Sequence, residues 1–287
     1  MVCPGRLAGV TDAPRGLLAI FAHPDDESFS IGGTMALAAE GGARVRVVCA
    51  TNGEEGGEGS DGDHAMDPEI RLSELRAACA ALGIEAPVFL GYRDSGMEGW
   101  GPKSGSLALA DPEEAIERIV AEIRRFRPSL IITFDPGGIY GHPDHVAISL
   151  LASTAFRRAA SEPGGPLALY HCAIQRSYLP EMGRLMEEAA RLGGAPAREP
   201  TADDLAQQRK FVELARPDED FTTHVDVRSV VSRKVAALAA HASQTRGMGV
   251  EGGSPEMVDR MLGEEWFIRV EPQPVPGEPL ETMVGPI

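Results

Sequence analysis

The chain is short of cysteine, of aromatic side chains and of positive charge. Its 287 residues include four cysteines, Cys3, Cys49, Cys79 and Cys172, with no CxxC pair and no spacing of a zinc knuckle or disulfide framework. That scatter fits a reducing, cytoplasmic setting. Lys and Arg number 27 against 43 Asp and Glu, a net charge of −16. Such a surface repels phosphate backbones and anionic lipid head groups, which argues against nucleic-acid and membrane partners. No apolar run approaches the roughly 18 residues of a membrane span. Met1 to Gly16 also lacks the continuous apolar stretch that a signal peptide needs. What remains is 43% hydrophobic and 24% charged, with aromatics at a low 5%. This is a globular composition, and the length permits one large domain or a domain with an appended lobe.

Apolar runs alternate with amphipathic segments. Leu17 to Ala22, Val45 to Ala50, Val88 to Leu90 and Leu130 to Phe134 read as buried strands. Ser28 to Glu40, Pro68 to Leu82, Pro112 to Phe126 and His145 to Ala160 read as helices. The alternation predicts an α/β, Rossmann-like fold: a mainly parallel sheet with helices on both faces. Leu167 to His171 adds a strand, after which the pattern weakens, and Arg191 to Asp204 reads as an exposed loop. Thr222 to Val227 alternates as a strand, Ser229 to Ala242 is helical, and Trp266 to Val270 is expected as an edge strand before a proline-rich tail. The expectation is a single domain over 1–287, with a core of about 15–175 and a C-terminal α/β extension of about 176–287 packed on it.

Two loops carry the chemistry. The first strand is followed by His23, Pro24, Asp25, Asp26 and Glu27, where a dinucleotide-binding fold would place glycines. Three consecutive carboxylates there would repel a pyrophosphate, so the natural occupant is a cation. Acids that only cap the following helix are the competing explanation. The strand Leu130 to Phe134 leads into a second such loop, Asp135 to His145, with His142, Asp144 and His145. The ends of parallel strands share one edge of a sheet, so the two loops can converge and offer a His, Asp, His set with a position left open, as in catalytic zinc sites.

Together these pieces resemble the LmbE, or PIG-L, family of zinc-dependent N-acetyl-sugar deacetylases. The matching segments are AHPDDE at Ala22 to Glu27, TNGEEGG at Thr51 to Gly57, RLSELRAACAALG at Arg71 to Gly83, YRDSGM at Tyr92 to Met97, YGHPDH at Tyr140 to His145, and HASQ at His241 to Gln244. YRDSGM is most like the mycothiol-pathway branch. The resemblance implies that His23, Asp26 and His145 hold zinc, or another divalent metal such as Fe2+, that Asp25 is the general base, and that His142 is the general acid. Chemistry agrees with the split of the acids, because adjacent side chains diverge and one can ligate while its neighbour takes a proton from water. Tyr140 is expected to stabilise the oxyanion, and Asp144 to orient His142. Arg71, Asp94, Glu54 and His241 are expected around the sugar. Arg71 could instead pair with Glu69 or Glu74, Glu54 could simply keep a loop soluble, and a histidine on an alanine-rich helix is more often structural. His64, His171 and His224 are expected to be structural or surface residues.

The partner implied is a small amino-sugar amide. A mycothiol-conjugate-type amidase is the nearest alternative, but Phe29 stands where those enzymes carry lysine. Two histidines and a carboxylate also form the facial triad of non-haem iron oxygenases, which typically sit on β-sandwiches. A non-catalytic sugar-binding relative would lack a base or a ligand, and none is missing here.

Overall fold

The structure, a computed structural model, describes residues 16–57, 66–97, 99, 103–192, 202–245 and 253–285. His64 and the middle of the loop that holds it lie outside the described residues. The core is a sheet begun by β1 (Gly16–Phe21), β2 (Arg44–Thr51), β3 (Val88–Tyr92), β4 (Leu130–Phe134) and β5 (Ala168–Cys172). All five run parallel. Every residue of β1, β4 and β5 is buried, as expected for strands covered on both faces. Between them run α1 (Asp26–Glu40), α2 (Pro68–Leu82), α3 (Pro112–Phe126), the single turn α4 (Gly138–Gly141) and α5 (Pro143–Ala160). Three of these helices start with proline, whose missing N–H costs nothing in a first turn. Asp67 and Asp111 cap two of them by accepting from Glu69 N and Glu114 N, each at 3.0 Å.

The C-terminal part extends the same sheet. It contributes α6 (Leu179–Leu192), α7 (Ala202–Leu214), β6 (Thr223–Asp226), α8 (Val231–Ala240), the turn α9 (Ala242–Thr245), α10 (Pro255–Leu262) and β7 (Glu264–Glu271). The strand order is β3-β2-β1-β4-β5-β7-β6, with the last two antiparallel. Trp266 to Val270 is therefore not the edge strand expected. β7 lies inside the sheet with Phe267 fully buried, and the four-residue β6 takes the edge. The exposed loop expected over Arg191 to Asp204 is helical at both ends, because α6 and α7 are surface helices. α6 buries only Leu185 and Ala189, too sparse an apolar stripe to stand out in the sequence. The helix expected over Ser229 to Ala242 ends at Ala240, with His241 at the break before α9.

The buried carboxylate of Glu265, in β7, accepts from Gly33 N and Thr34 N at 2.8 Å each, where α1 departs from helical geometry at Ile31. Lys234 of α8 completes the arrangement at 2.6 Å from Glu265. The extension thus satisfies backbone groups that the break in α1 exposes. Among the described residues no helix is long and apolar enough to cross a membrane. The strand order reverses between β1 and β4, and both ligand-rich loops leave the sheet at that switch point.

Candidate active site

His23 and His145 meet across the switch point. His145 stands in the first turn of α5, its ring stacked on Phe134 at the end of β4 with centroids 4.1 Å apart. Its Nδ1 lies 3.2 Å from the Gly138 carbonyl. A carbonyl only accepts, so Nδ1 carries the hydrogen and the Nε2 lone pair faces the site. Glycine is required at 138, since φ is +58° and a Cβ would fall 2.6 Å from the Cβ of His145. His145 Nε2 lies 3.1 Å from His23 Nδ1 and 3.2 Å from Asp26 Oδ1, while His23 Nδ1 is 3.6 Å from Asp26 Oδ2. Ligands bound about 2.0–2.1 Å from a tetrahedral zinc are about 3.3 Å apart, so His145 Nε2 stands at ligand spacing from both His23 and Asp26, whose two oxygens face the two rings separately. Asp26 Oδ2 also accepts from His23 N at 2.7 Å, which fixes the carboxylate.

The far side of the His23 ring faces acids. Its Nε2 is 3.2 Å from Asp144 Oδ2 and 3.5 Å from Asp94 Oδ1. A carboxylate that takes the distal N–H of a histidine leaves the proximal nitrogen free to ligate. Asp144 therefore orients His23 and not His142, contrary to the sequence expectation. Fully buried, Asp144 is held by Ser95 N at 2.8 Å and by the Ser95 hydroxyl. Ser95 went unremarked in the sequence, although it lies within YRDSGM. Burial disfavours charge on His23, but Asp94, Asp144 and Asp26 overcome it and hold the imidazole well above its ordinary range. Burial likewise opposes charge on Asp26, yet His145 and His23 keep its carboxyl well below the usual range. Carboxylates gathered around paired imidazoles favour a cation, and the donor set fits a divalent metal. Two further donor groupings overlap this one, His23 with His142 and His145, and His23 with Asp94, His142 and Asp144.

His142 caps α5. Its Nδ1 accepts from Asp144 N at 3.1 Å, so the neutral ring carries its hydrogen on Nε2, which lies 4.0 Å from Asp94 Oδ1. Burial, then the neighbouring His23 and His145, push its pKa down to about 2. The Tyr140 ring meets His145 edge-on, with centroids 5.0 Å apart. Burial, then Asp26, raises its hydroxyl pKa and keeps it a donor.

Asp25 is the N-cap of α1, with φ 117° and ψ −31°. That conformation costs an aspartate about 1–3 kcal/mol and persists only where its surroundings impose it. Here Asp25 O accepts from Ser28 N at 3.0 Å and Phe29 N at 3.1 Å, and Asp25 N donates to Glu27 at 3.1 Å. Buried Arg71 lies 3.0 Å from Asp25 Oδ2 and donates to Gly53 O at 2.7 Å and Pro24 O at 2.5 Å. The Asp25 carboxyl is pushed up to about 6, by burial against the opposing pull of Arg71, with Asp26 adding to the rise. Side chains at Gly53 or Gly56 would collide with the Arg71 guanidinium, which accounts for two glycines of TNGEEGG.

The expected sugar-reading residues divide. Asp94 lies beside the cluster, with Oδ1 accepting from Gly96 N at 2.8 Å. Glu54 supports it by accepting from Asp94 N at 3.3 Å, and lies 3.4 Å from Arg93. Arg71 pairs with neither Glu69 nor Glu74; its contacts run to Asp25 and two carbonyls. His241 is 0% exposed and lies 2.8 Å from equally buried Glu27, whose carboxylate also accepts from Asp25 N. His171 is buried against Ser153 at 3.0 Å, and His224 stacks on Trp266, both structural.

A doubly wound sheet with histidines and carboxylates converging at its switch point defines a candidate catalytic centre whose donors could hold a metal ion. The profile of the PIG-L family, GlcNAc-PI de-N-acetylase, matches residues 18–156. A 1D-myo-inositol 2-acetamido-2-deoxy-alpha-D-glucopyranoside deacetylase of Acidothermus cellulolyticus is 38% identical over 88% of each chain. The enzyme of that name from Rhodococcus erythropolis is 36% identical over 82% of this chain and 83% of its own. This chain belongs to the PIG-L family of de-N-acetylases, and it is a hydrolase acting on an N-acetyl amide. Among solved structures, N,N'-diacetylchitobiose deacetylase of Pyrococcus horikoshii shares the fold, with TM-score 0.57 and 18% identity over 91% of this chain and 88% of its own. So does the GalB hydratase of Pseudomonas putida, with TM-score 0.56 and 20% identity over 92% of this chain and 99% of its own. The shared architecture therefore does not by itself fix the reaction.

Proposed function

We propose that this chain removes the acetyl group from an N-acetylglucosaminyl inositol, the substrate class in the names of its relatives, with His23, Asp26 and His145 as the residues that would hold zinc. The observation that carries the reading is the close triangle of those three groups, with Asp25 held beside it by Arg71. Held by these residues, the metal would supply a Lewis acid for the acetamide carbonyl and lower the pKa of a water beside it. Asp25 accepts the proton of the attacking water and passes it to the departing amine. With a carboxyl near 6 it is ionised at neutral pH and still basic enough to serve. The Tyr140 hydroxyl and His142 Nε2–H donate hydrogen bonds to the oxygen of the tetrahedral centre. An imidazolium at 142 would set its Nδ1–H against the Asp144 N–H, so His142 serves as a neutral donor and not as the acid expected from the sequence. Asp94 reads a sugar hydroxyl, Glu54 holds the Asp94 backbone, and Arg71 orients the base.

The test is acetate release across N-acetylglucosaminides with different aglycones. The inositol compound is expected to be the best substrate, and Asp94→Ala is expected to depress kcat/KM on it far more than on a small acetamide. Equal losses on both would assign Asp94 to the metal site, and no release from any glucosaminide would end the proposal.

A further inference from the structure

Tyr140 stands on an unusual support. The turn α4 has Ile139 at φ 64°, with Gly138 at φ 58° and Gly141 at φ 80° on either side. A β-branched residue seldom holds that conformation unless its neighbours enforce it. From one side Asp135 does so, accepting from Gly137 N at 3.2 Å, Ile139 N at 3.1 Å and Gly138 N at 2.9 Å. From the other side comes α7. Its Phe211 ring stacks on Tyr140 with centroids 5.2 Å and planes 26° apart, and Leu214 packs against Gly137 and Gly141. Tyr140 is thus clamped between Phe211 on one side and His145 on the other.

We propose that Phe211 is a positioning residue for Tyr140, and that α7 fixes the direction of the phenol through this stacked pair. The inference rests on the reading of Tyr140 as a donor to the reacting oxygen. α7 lies outside residues 18–156, the part matched by the family profile. Three glycines, at 137, 138 and 141, leave the turn little stiffness of its own. An offset-stacked aromatic restrains a ring in a way that an aliphatic of similar bulk does not.

The test joins kinetics to a direct view of the ring. The protein is labelled with 3-fluorotyrosine, and Y140F identifies one of the four tyrosine 19F resonances by its loss. F211L is expected to shift that resonance toward free tyrosine and to lower kcat about tenfold, part of the 10²–10³ an oxyanion donor supplies. KM should change little. F211W is expected to restore both readouts, and F211L should cost nothing further in the Y140F background. An unmoved resonance in F211L, or an equal loss with and without Tyr140, overturns the proposal. Wild-type kcat in Y140F would instead remove the donor role from Tyr140, leaving the resonance to decide whether Phe211 positions it.

Discussion

Replacing Arg71 tests which of two jobs it does. Its guanidinium lies 3.0 Å from Asp25 Oδ2, and both side chains are largely buried. At an effective dielectric of about 20, two unit charges at that distance attract by roughly 5 kcal/mol. Compensation by the other charges around Asp25 brings the effect to the range of about 1–3 pKa units known for a carboxylate beside arginine. The Asp25 carboxyl, at about 6 with Arg71 in place, should rise by that amount when the positive charge is removed. The sign then follows: the base works only when ionised, so the acidic limb of kcat/KM must move to higher pH by about 1–3 units. Arg71→Met should do this with KM for the sugar nearly unchanged, and Arg71→Lys should shift the limb less. Because Arg71→Met also strips donors from Gly53 O and Pro24 O, at about 1–3 kcal/mol each, melting curves must confirm that the assayed protein is folded. The assay is acetate release from pH 5 to 9. A limb that stays in place while KM rises would refute the reasoning and return Arg71 to the sugar.

Glu27→Ala leaves His241 buried without its partner at 2.8 Å, so urea unfolding should show a loss of about 3–5 kcal/mol, and a loss under 1 kcal/mol would count against the pairing. His171 is held at about 4 by burial, so the unfolded chain takes up its proton first as pH falls. Its contribution is complete above about pH 6.5 and is lost from there toward pH 4, up to about 3 kcal/mol. His171→Asn should remove that part of the acid slope, and an unchanged slope would contradict the assignment. His142→Ala should cost a similar factor on the amide and on an activated ester, because both pass through an oxyanion; recovery on the ester alone would make His142 the acid.

The central sheet and the meeting of two loops were legible because buried parallel strands appear as unbroken apolar runs, and because HPDDE and HPDH each follow one. His23, Asp26 and His145 came together as their positions implied. What the sequence could not display were pairings between distant residues. Nothing local to Asp144 says that its backbone, and not its carboxylate, meets His142. That Arg71 reaches back 47 residues to Pro24 is equally invisible. α6 and α7 escaped notice because surface helices bury few residues, and with them went the contact of Phe211 on Tyr140.

Asp25→Asn is the most direct test of the account. An amide cannot accept the proton of water, yet it keeps the size of the side chain and leaves His23, Asp26 and His145 untouched. Metal-loaded Asp25→Asn protein, its metal verified by elemental analysis, should release acetate from N-acetylglucosaminyl inositol at least about 10²-fold more slowly than the wild type. Wild-type turnover by the variant with its metal in place would contradict the account.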